Sequence, residues 1–329
     1  MVSRTNQILI VILVVQLIIG VISLLPESKA ENVAGPLLAD FSPDAVTGLV
    51  FRSTEGDELA MAKVDGVWVL PESDNFPLDE SKVSSFLTQL AALQADRLIA
   101  TSGSSQRRLG VAEDEFEAAV EIQQGERSDT LYIGTSGGVN VTHMRLGSSN
   151  DIYLTTGLTA WEADTRVGLW IDTVYFSVTQ EDIVAVTLEN ANGIFEFEKV
   201  GGEWTMLELA EDEAFNAGNF TSLLTQLATV RMRAPLGMEG KEEYGLANPQ
   251  ATITIETMES LSTGEATAEP TLIPVTYTLR IGAQLEDGDY VLKSDQSDYY
   301  VALIEYTANN FLEKTRDSFL VASEELPQP

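Results

Sequence analysis

The heptapeptide SFLTQLA occupies residues 85–91, and SLLTQLA, which differs from it at one position, occupies residues 222–228. Apolar residues recur at helical spacing around both copies. In the first copy this stripe consists of Val83, Phe86, Leu87, Leu90 and Leu93. In the second copy it consists of Phe220, Leu223, Leu224, Leu227 and Val230. A stripe of this kind predicts one long amphipathic helix in each copy.

Further landmarks surround both helices in the same order. Asp79 and Asn216 precede the two stripes, and both are residue types that cap a helix N-terminus. KVDGVW at residues 63–68 and KVGGEW at residues 199–204 end in Trp68 and Trp204. Matched landmarks on both sides of a repeated helix indicate an internal duplication.

The repeat continues on the C-terminal side of each helix. RRLGV and EEYGL contain Gly110 and Gly245, which suit turn positions that require a positive φ. Strand-like segments ending in LYIG and LRIG follow, and Arg166 and Arg316 mark the two closing segments. The second copy carries an extra polar stretch, SLSTGEATAEPT, which we interpret as an exposed hairpin loop.

These patterns predict an α+β fold made of two tandem repeats. Each repeat is expected to combine a mainly antiparallel β-sheet with one long amphipathic helix and a short terminal helix. The predicted domain boundaries are 1–30 for a membrane anchor, 31–172 and 173–322 for the two repeats, and 323–329 for a tail.

The N-terminal segment is strongly apolar. Residues 8–25 read ILIVILVVQLIIGVISLL, which as a helix would be about 27 Å long and could span a bilayer. The sequence thus predicts an uncleaved signal-anchor, with a cytoplasmic N-terminus and the bulk of the chain extracytoplasmic at the cell membrane. A cleaved signal peptide is the alternative, because Ser28 and Ala30 form a small-x-small pattern.

Composition restricts the partners and the chemistry. The chain of 329 residues has 51 acidic and 19 basic residues, a formal charge of -32, and no cysteine. Such a charge repels nucleic acid, and the lack of cysteine excludes disulfides, thiolate metal sites and cysteine nucleophiles.

None of the candidate catalytic or binding motifs is complete. His143 is the only histidine, and the one G-x-S-x-G match, GTSGG at residues 134–138, lies between two strand-like segments rather than before a helix. Acidic clusters such as EDEFE at residues 113–117 lack the spacing of a calcium loop, and GTSGG at residues 134–138 lacks the end of a phosphate-binding loop. Trp68 and Trp204 could stack on a ligand, but their strand context favours core packing. We therefore predict no catalytic residue, no cofactor and no metal site.

Several motifs together resemble a known family. DGVWVL, LTQL, YGLANP, LRIG and TRDSFL are similar to a bacterial domain-of-unknown-function family, with one copy in each repeat. The resemblance implies a membrane-anchored auxiliary component of ABC-type transport systems, including those associated with gliding motility. The first copy departs from the pattern, since it has RRLGVAED and TRVGLW where the family has a Tyr-Gly-Leu turn and an Arg-Asp pair.

The predicted function follows from the anchor, the repeat and the resemblance. We expect a non-enzymatic, membrane-anchored extracytoplasmic accessory protein that interacts with other proteins of an ABC-transporter-like complex. The alternative is an extracytoplasmic module that binds a small ligand or a cell-envelope polymer in a cleft between the repeats.

Overall fold

A computed structural model describes residues 35–261 and 271–322 of the chain. The described residues form two compact units. The first unit contains the residues up to Glu58 together with Ser84–Thr165, and the second contains Leu59–Val83 together with the residues from Arg166 on. The boundaries predicted for the repeats stay a prediction.

Antiparallel strands dominate the described chain. The strands are β1 (Gly48–Ser53), β2 (Glu58–Val64), β3 (Val67–Leu70), β4 (Phe76–Pro77), β5 (Arg97–Ala100), β6 (Ala118–Gln124), β7 (Arg127–Gly138), β8 (Val141–Leu146), β9 (Ile152–Thr156), β10 (Val174–Ser177), β11 (Ile183–Asn190), β12 (Gly193–Val200), β13 (Glu203–Met206), β14 (Thr229–Arg231), β15 (Ala234–Gly237), β16 (Ala251–Leu261), β17 (Thr271–Gln284), β18 (Tyr290–Ser294) and β19 (Tyr300–Leu303).

The α-helices of the described residues are short. They are α1 (Glu80–Ala92), α2 (Gly103–Arg108), α3 (Ala217–Ala228) and α4 (Glu305–Leu312). The prediction of an α+β fold with a long amphipathic helix in each repeat is therefore wrong. The SFLTQLA and SLLTQLA segments do form helices α1 and α3, but these have 13 and 12 residues. Strand β14 follows α3 at once, because the β-branched Thr229 and Val230 favour an extended chain.

The predicted membrane anchor at residues 1–30 lies outside the described residues. Within residues 35–261 and 271–322, no helix is both long and apolar enough to cross a membrane. The longest of them, α1, would measure about 20 Å against a hydrocarbon core of about 30 Å. The predictions of a transmembrane helix, of attachment to a membrane through it and of a single-pass location are not supported by this finding, and we withdraw them.

The first unit contains six strands in the order β1-β6-β7-β8-β9-β5, all paired antiparallel. Strands β1 and β6 pair with Leu49 opposite Ile122, and both side chains are buried. Because successive side chains of a strand point to opposite faces of the sheet, the face that carries this buried pair lies against the interior. Leu90 of α1 belongs to this unit and is fully buried.

The second unit contains an eight-stranded antiparallel sheet in the order β13-β12-β11-β16-β17-β18-β19-β15. Strands β10 and β14 form a separate pair. Helix α3 buries Phe220, Leu223, Leu224, Leu227 and Ala228. Phe220 stacks on Phe197 of β12 with ring centroids 4.2 Å apart, and Phe319 lies 4.8 Å from Phe197. These aromatic rings join the sheet, the helix and the C-terminal 3₁₀ turn in one core.

The segment Leu59–Val83 packs within the second unit. The hydroxyl of Ser73 donates to the carbonyl of Pro235 at 3.2 Å, and a carboxylate oxygen of Asp74 accepts from the backbone N–H of Met238 at 2.6 Å. These two side chains bond backbone groups at the outer edge of β15, which is the last strand of its sheet. An edge strand covered in this way offers fewer free backbone groups for unwanted pairing.

Near the start of β17, no strand of the described residues pairs with the side of β17 that faces away from β16. Strand β18 pairs with β17 from Leu279 onward, and Asp295 donates its N–H to the carbonyl of Thr278 at 3.1 Å. Because backbone groups alternate along a strand, those of Leu272, Pro274 and Thr276 face the same open side. Pro274 has no N–H, so the middle of this edge lacks a donor.

Candidate functional site

The two tryptophans of the predicted repeat, Trp68 and Trp204, are packing residues. Trp68 is 5% exposed in β3. Trp204 is half-buried in β13, and its ring lies 4.9 Å from that of Phe220. Their environment is that of core aromatic residues.

Asp79 and Asn216 lie where the sequence places the helix caps. A carboxylate oxygen of Asp79 accepts from the backbone N–H of Ser81 at 3.0 Å, and Asn216 accepts from the N–H of Asn219 at 3.1 Å. Both bonds satisfy a first-turn N–H group that has no partner within its own helix.

Gly110 and Gly245 adopt the same left-handed conformation, with φ of +67° and +66°. Each turn brings a backbone carbonyl against a glycine of the neighbouring strand. A Cβ on Gly134 would lie 2.1 Å from the carbonyl oxygen of Leu109, and a Cβ on Gly282 would lie 2.1 Å from that of Tyr244. The two turns therefore need glycine at four positions, for conformation at two and for space at two.

Arg316 forms an ion pair with Glu213 through both carboxylate oxygens. Arg316 donates through Nε to one oxygen of Glu213 at 2.8 Å and through Nη2 to the other, and Nη2 also reaches the carbonyl of Glu208. This bidentate pair holds the acidic loop before α3 to the C-terminal 3₁₀ turn. Arg166 lies at the start of the 3₁₀ turn Val167–Leu169.

The Arg316 pair predicts a pH dependence of stability. The hydrogen bonds from Arg316 lower the pKa of Glu213 from 4.5 to about 2. A carboxylate with a depressed folded-state pKa stabilises the fold above its unfolded pKa, and this stabilisation is lost as the pH falls toward about 2. We expect the melting temperature of the wild type to exceed that of Glu213→Gln at pH 6, and the two to converge near pH 2. Thermal unfolding from pH 6 to pH 2 measures this.

Glu211→Gln is the matched control for Glu213→Gln, because Glu211 lies on the same loop with an exposed side chain. It should leave the melting temperature nearly unchanged across the range. A wild-type advantage over Glu213→Gln that stays constant from pH 6 to pH 2 would contradict the ionic origin of the effect.

His143 has a local structural role. Its Nδ1 lies 2.8 Å from the carbonyl oxygen of Thr135 and 3.2 Å from the hydroxyl of the same residue. These contacts join β8 to β7. Across residues 35–261 and 271–322, no three His, Asp or Glu side chains converge as a metal ion would require.

The clearest difference between the halves of the chain is the length of one hairpin. The β6–β7 hairpin ends with Gln124 opposite Arg127. We align the two hairpins by matching the pair Ala118–Ile133 with the pair Ala251–Ile281. In this alignment, the β16–β17 pair that corresponds to Gln124–Arg127 is Thr257 opposite Val275. Pairing then continues for four more pairs, to Leu261 opposite Thr271. We call these four added pairs, Met258–Leu261 with Thr271–Pro274, the extended ribbon.

A carboxylate is held at the base of the extended ribbon. Both the phenol of Tyr277 and the hydroxyl of Thr257 donate to Oε1 of Glu259, the latter at 3.3 Å. Thr257 is 1% exposed, and the ring of Tyr277 packs edge-on against Phe176 at 5.4 Å. The hydrogen bond to Glu259 raises the pKa of Tyr277 to about 12, so its phenol stays protonated at neutral pH.

The carboxylate of Glu259 lines an open cleft of about 550 Å³. The volume falls within the range of small-ligand sites. The cleft is lined by Ser177, Val178, Thr179, Asp182, Thr257, Glu259, Ser260 and Tyr277. Asp182 ends a 3₁₀ turn, and its backbone N–H donates to the carbonyl of Thr179 at 3.0 Å. Hydroxyl groups and two carboxylates thus line the same cleft.

A second cleft of about 580 Å³ lies at the turn formed by residues 245–250. Amide side chains that line this cleft donate hydrogen bonds to backbone carbonyls of other segments. Asn190 donates to the carbonyls of Phe311 and Lys314 at 2.8 and 3.0 Å, and Gln250 donates to the carbonyl of Gly282 at 2.9 Å. The cleft at the extended ribbon is therefore the better candidate for binding.

Comparison with known families gives one match. Residues 68–249, which are 182 of the 329 residues, match the family described as Domain of unknown function (DUF4340). The chain belongs to this family. No curated protein and no solved structure matches it.

The DUF4340 match is a single one that begins at Trp68 and ends at Pro249. It covers α1 and α3 but stops before the extended ribbon. Ser177, Thr179 and Asp182 of the cleft lie inside the matched residues, whereas Glu259 and Tyr277 lie beyond them. Glu259 and Tyr277 were not predicted as site residues, because they flank the polar insertion that we interpreted only as an exposed loop. The i, i+2 spacing of Thr257 and Glu259 was the one signal that placed both on the same strand face.

Proposed function

We propose that this chain is a non-enzymatic subunit that binds other proteins within a larger assembly, of the ABC-transporter kind that its family resemblance implies. The observation that carries this proposal is the extended ribbon with its cleft. A lengthened hairpin whose cleft presents carboxylates and hydroxyls suits a polar contact with a cationic surface of another protein. The formal charge of -32 favours a cationic contact surface on the partner.

Several ionisable groups that could take part in catalysis are instead engaged in structural bonds, which supports a binding role. Glu213 is paired with Arg316, and Asp289, which is 2% exposed, accepts from Arg233 at 3.1 Å and from the N–H of Glu305. His143 is engaged within its sheet. These groups serve to hold loops and helix ends.

The proposed function is tested by isolating the tagged, full-length chain from its own cells under conditions that preserve protein complexes. We expect ATPase or permease subunits of a transporter to be recovered with it at a fixed ratio. Recovery of the chain alone, while other complexes from the same cells stay intact, would contradict the proposal.

The proposal includes a duplicated module, and strand order supports it. The first unit has the order β1-β6-β7-β8-β9-β5, and the second has β11-β16-β17-β18-β19-β15. The strand numbers of the second unit are those of the first plus ten, so the strands follow one another along the chain and across the sheet in the same way in both units. Two unrelated antiparallel sheets have little reason to share a six-strand order with the same return of a strand to the far edge.

A matched pair of cations supports the duplication at the level of side chains. Arg145 of β8 donates to the carbonyls of residues 146 and 149, at 3.1 and 3.0 Å. Lys293 of β18 donates to the carbonyls of residues 294 and 297, the first at 2.8 Å. Both residues thus bond carbonyls one and four positions ahead, at equivalent positions of the two sheets.

This equivalence predicts which substitutions Lys293 tolerates. Lys293→Met removes both bonds to the turn carbonyls and should cost about 1 to 2 kcal/mol of unfolding free energy. Lys293→Arg should cost much less, since arginine makes the same two bonds in the first unit. Urea unfolding of the two variants measures the difference, and equal losses would contradict the proposed equivalence.

A further inference from the structure

The lining of the cleft at the extended ribbon has one sign of charge. Asp182 and Glu259 are its ionisable carboxylates, and hydroxyls of Ser177, Thr179, Thr257 and Tyr277 complete its polar surface. The described lining includes no lysine, arginine or histidine. Such a surface lacks an internal counter-charge and has acceptors for several N–H donors.

The hydrogen bonds to Glu259 leave one side of its carboxylate open. Tyr277 and Thr257 both donate to Oε1, so neither bond uses Oε2. Both hydroxyls therefore lie against Oε1, and the acceptor positions of Oε2 are left to a ligand. The support is rigid, because Thr257 is buried and also lies 3.4 Å from the carbonyl of Val275. A ligand therefore meets a fixed carboxylate with one oxygen available.

We propose that this cleft binds the ammonium group of a lysine side chain from the partner protein. This inference rests on the proposed function, and it assigns a chemistry to the contact. The ammonium would donate to Oε2 of Glu259, to the carboxylate of Asp182 and to a neighbouring hydroxyl. An ammonium has three donors on a single atom, which suits convergent acceptors.

The same geometry disfavours arginine. A guanidinium binds a carboxylate best when two parallel N–H groups meet both carboxylate oxygens. The hydroxyls of Tyr277 and Thr257 already lie against Oε1 of Glu259, so a guanidinium would have to displace one of them to reach both oxygens. A point-like cation needs only Oε2.

The site is confined to the second half of the chain. The hairpin of the first half ends at the pair Gln124–Arg127, so it has no position equivalent to Glu259. Asp129 occupies the position equivalent to Tyr277, counted back from Ile133 and Ile281. The four added pairs therefore create the carboxylate site.

The test titrates Nα-acetyl-lysine methylamide into the ¹⁵N-labelled full chain and follows the backbone signals of Thr257, Glu259 and Tyr277. We expect saturable shifts with the lysine amide and none with its neutral Nε-acetylated analogue. Glu259→Gln and Asp182→Asn should each weaken binding by about tenfold, as expected for loss of a charge-assisted bond.

The matched control is Glu256→Gln. Glu256 is an exposed carboxylate of the same strand, but it points to the opposite face from Thr257 and Glu259. Its replacement should leave binding unchanged. Glutamine is close to isosteric with glutamate, and Asp182 bonds Thr179 through its backbone N–H, so both cleft variants retain their supports. Their melting temperatures, measured in parallel, verify folding.

Four results would overturn the inference: no saturable shift with the lysine amide, an equal response to the neutral analogue, unchanged binding in both cleft variants, or tighter binding of the arginine amide. The same saturable shifts from calcium chloride alone would assign the cleft to a metal ion and would also overturn it. If lysine fails to bind while transporter subunits are still recovered with the chain, the inference fails and the proposed function stands. If lysine binds and the chain is recovered alone, only the proposed function fails.

Discussion

Replacing Phe220 with alanine is expected to lower the free energy of unfolding of the second unit by about 3 to 5 kcal/mol. Phe220 is fully buried, and its ring contacts those of Phe197, Trp204 and Phe215 at centroid distances of 4.2, 4.9 and 5.8 Å. Alanine would leave a cavity in this aromatic cluster. Urea unfolding followed by circular dichroism measures the loss.

Tyr306→Ala is the control for Phe220→Ala, since it removes an aromatic ring from the second unit at a position that is 77% exposed. It should change the unfolding free energy by no more than about 0.5 kcal/mol. Similar losses for the two variants would show that the aromatic cluster is not the centre of this core.

Gly282→Ala should destabilise the second unit by about 3 kcal/mol, because the added Cβ would lie 2.1 Å from the carbonyl oxygen of Tyr244. Both atoms belong to rigid backbone, so the clash is relieved only if β17 or the turn moves. Gly134→Ala should have a similar effect in the first unit, where the carbonyl of Leu109 lies at the same 2.1 Å. Thermal and urea unfolding of both variants measure the effect.

Gly218→Ala is the matched control for the strand glycines. Gly218 lies in α3, and a Cβ there would have only an ordinary contact, at 3.4 Å from the amide oxygen of Asn216. This variant should be neutral or slightly stabilising, since alanine favours a helix. A mild effect of Gly282→Ala, comparable to this control, would mean that the turn can move away at little cost.

Local structure was the part that the sequence could predict. The apolar stripes predicted helices at α1 and α3, and residue chemistry predicted the positions of Asp79, Asn216, Gly110 and Gly245. Each of these depends on the nearest few residues. Helix length was predicted wrongly, because the stripes do not show where strand-forming residues such as Thr229 and Val230 end a helix. A mainly antiparallel sheet was predicted for each repeat, but the extent to which strands outweigh helices was not, since strand pairing depends on contacts far apart in the chain.

The candidate site could not have been predicted from the sequence. Glu259 and Tyr277 are 18 residues apart, and only the register of β16 and β17 brings their side chains together. Asp182 joins them because β11 pairs with β16, with Ile183 opposite Thr257. In a chain with 51 acidic residues, no single carboxylate stands out before its neighbours in space are known.

Pro274 affects the tendency of this protein to aggregate at high concentration. Strand β17 is the longest in the described chain, and a long free edge is a template on which identical chains can zip together into fibres. Pro274 lacks an N–H in the middle of that edge, so a second chain could not form a continuous ladder of backbone hydrogen bonds along it. The hairpin can thus reach outward without becoming a seed for polymerisation.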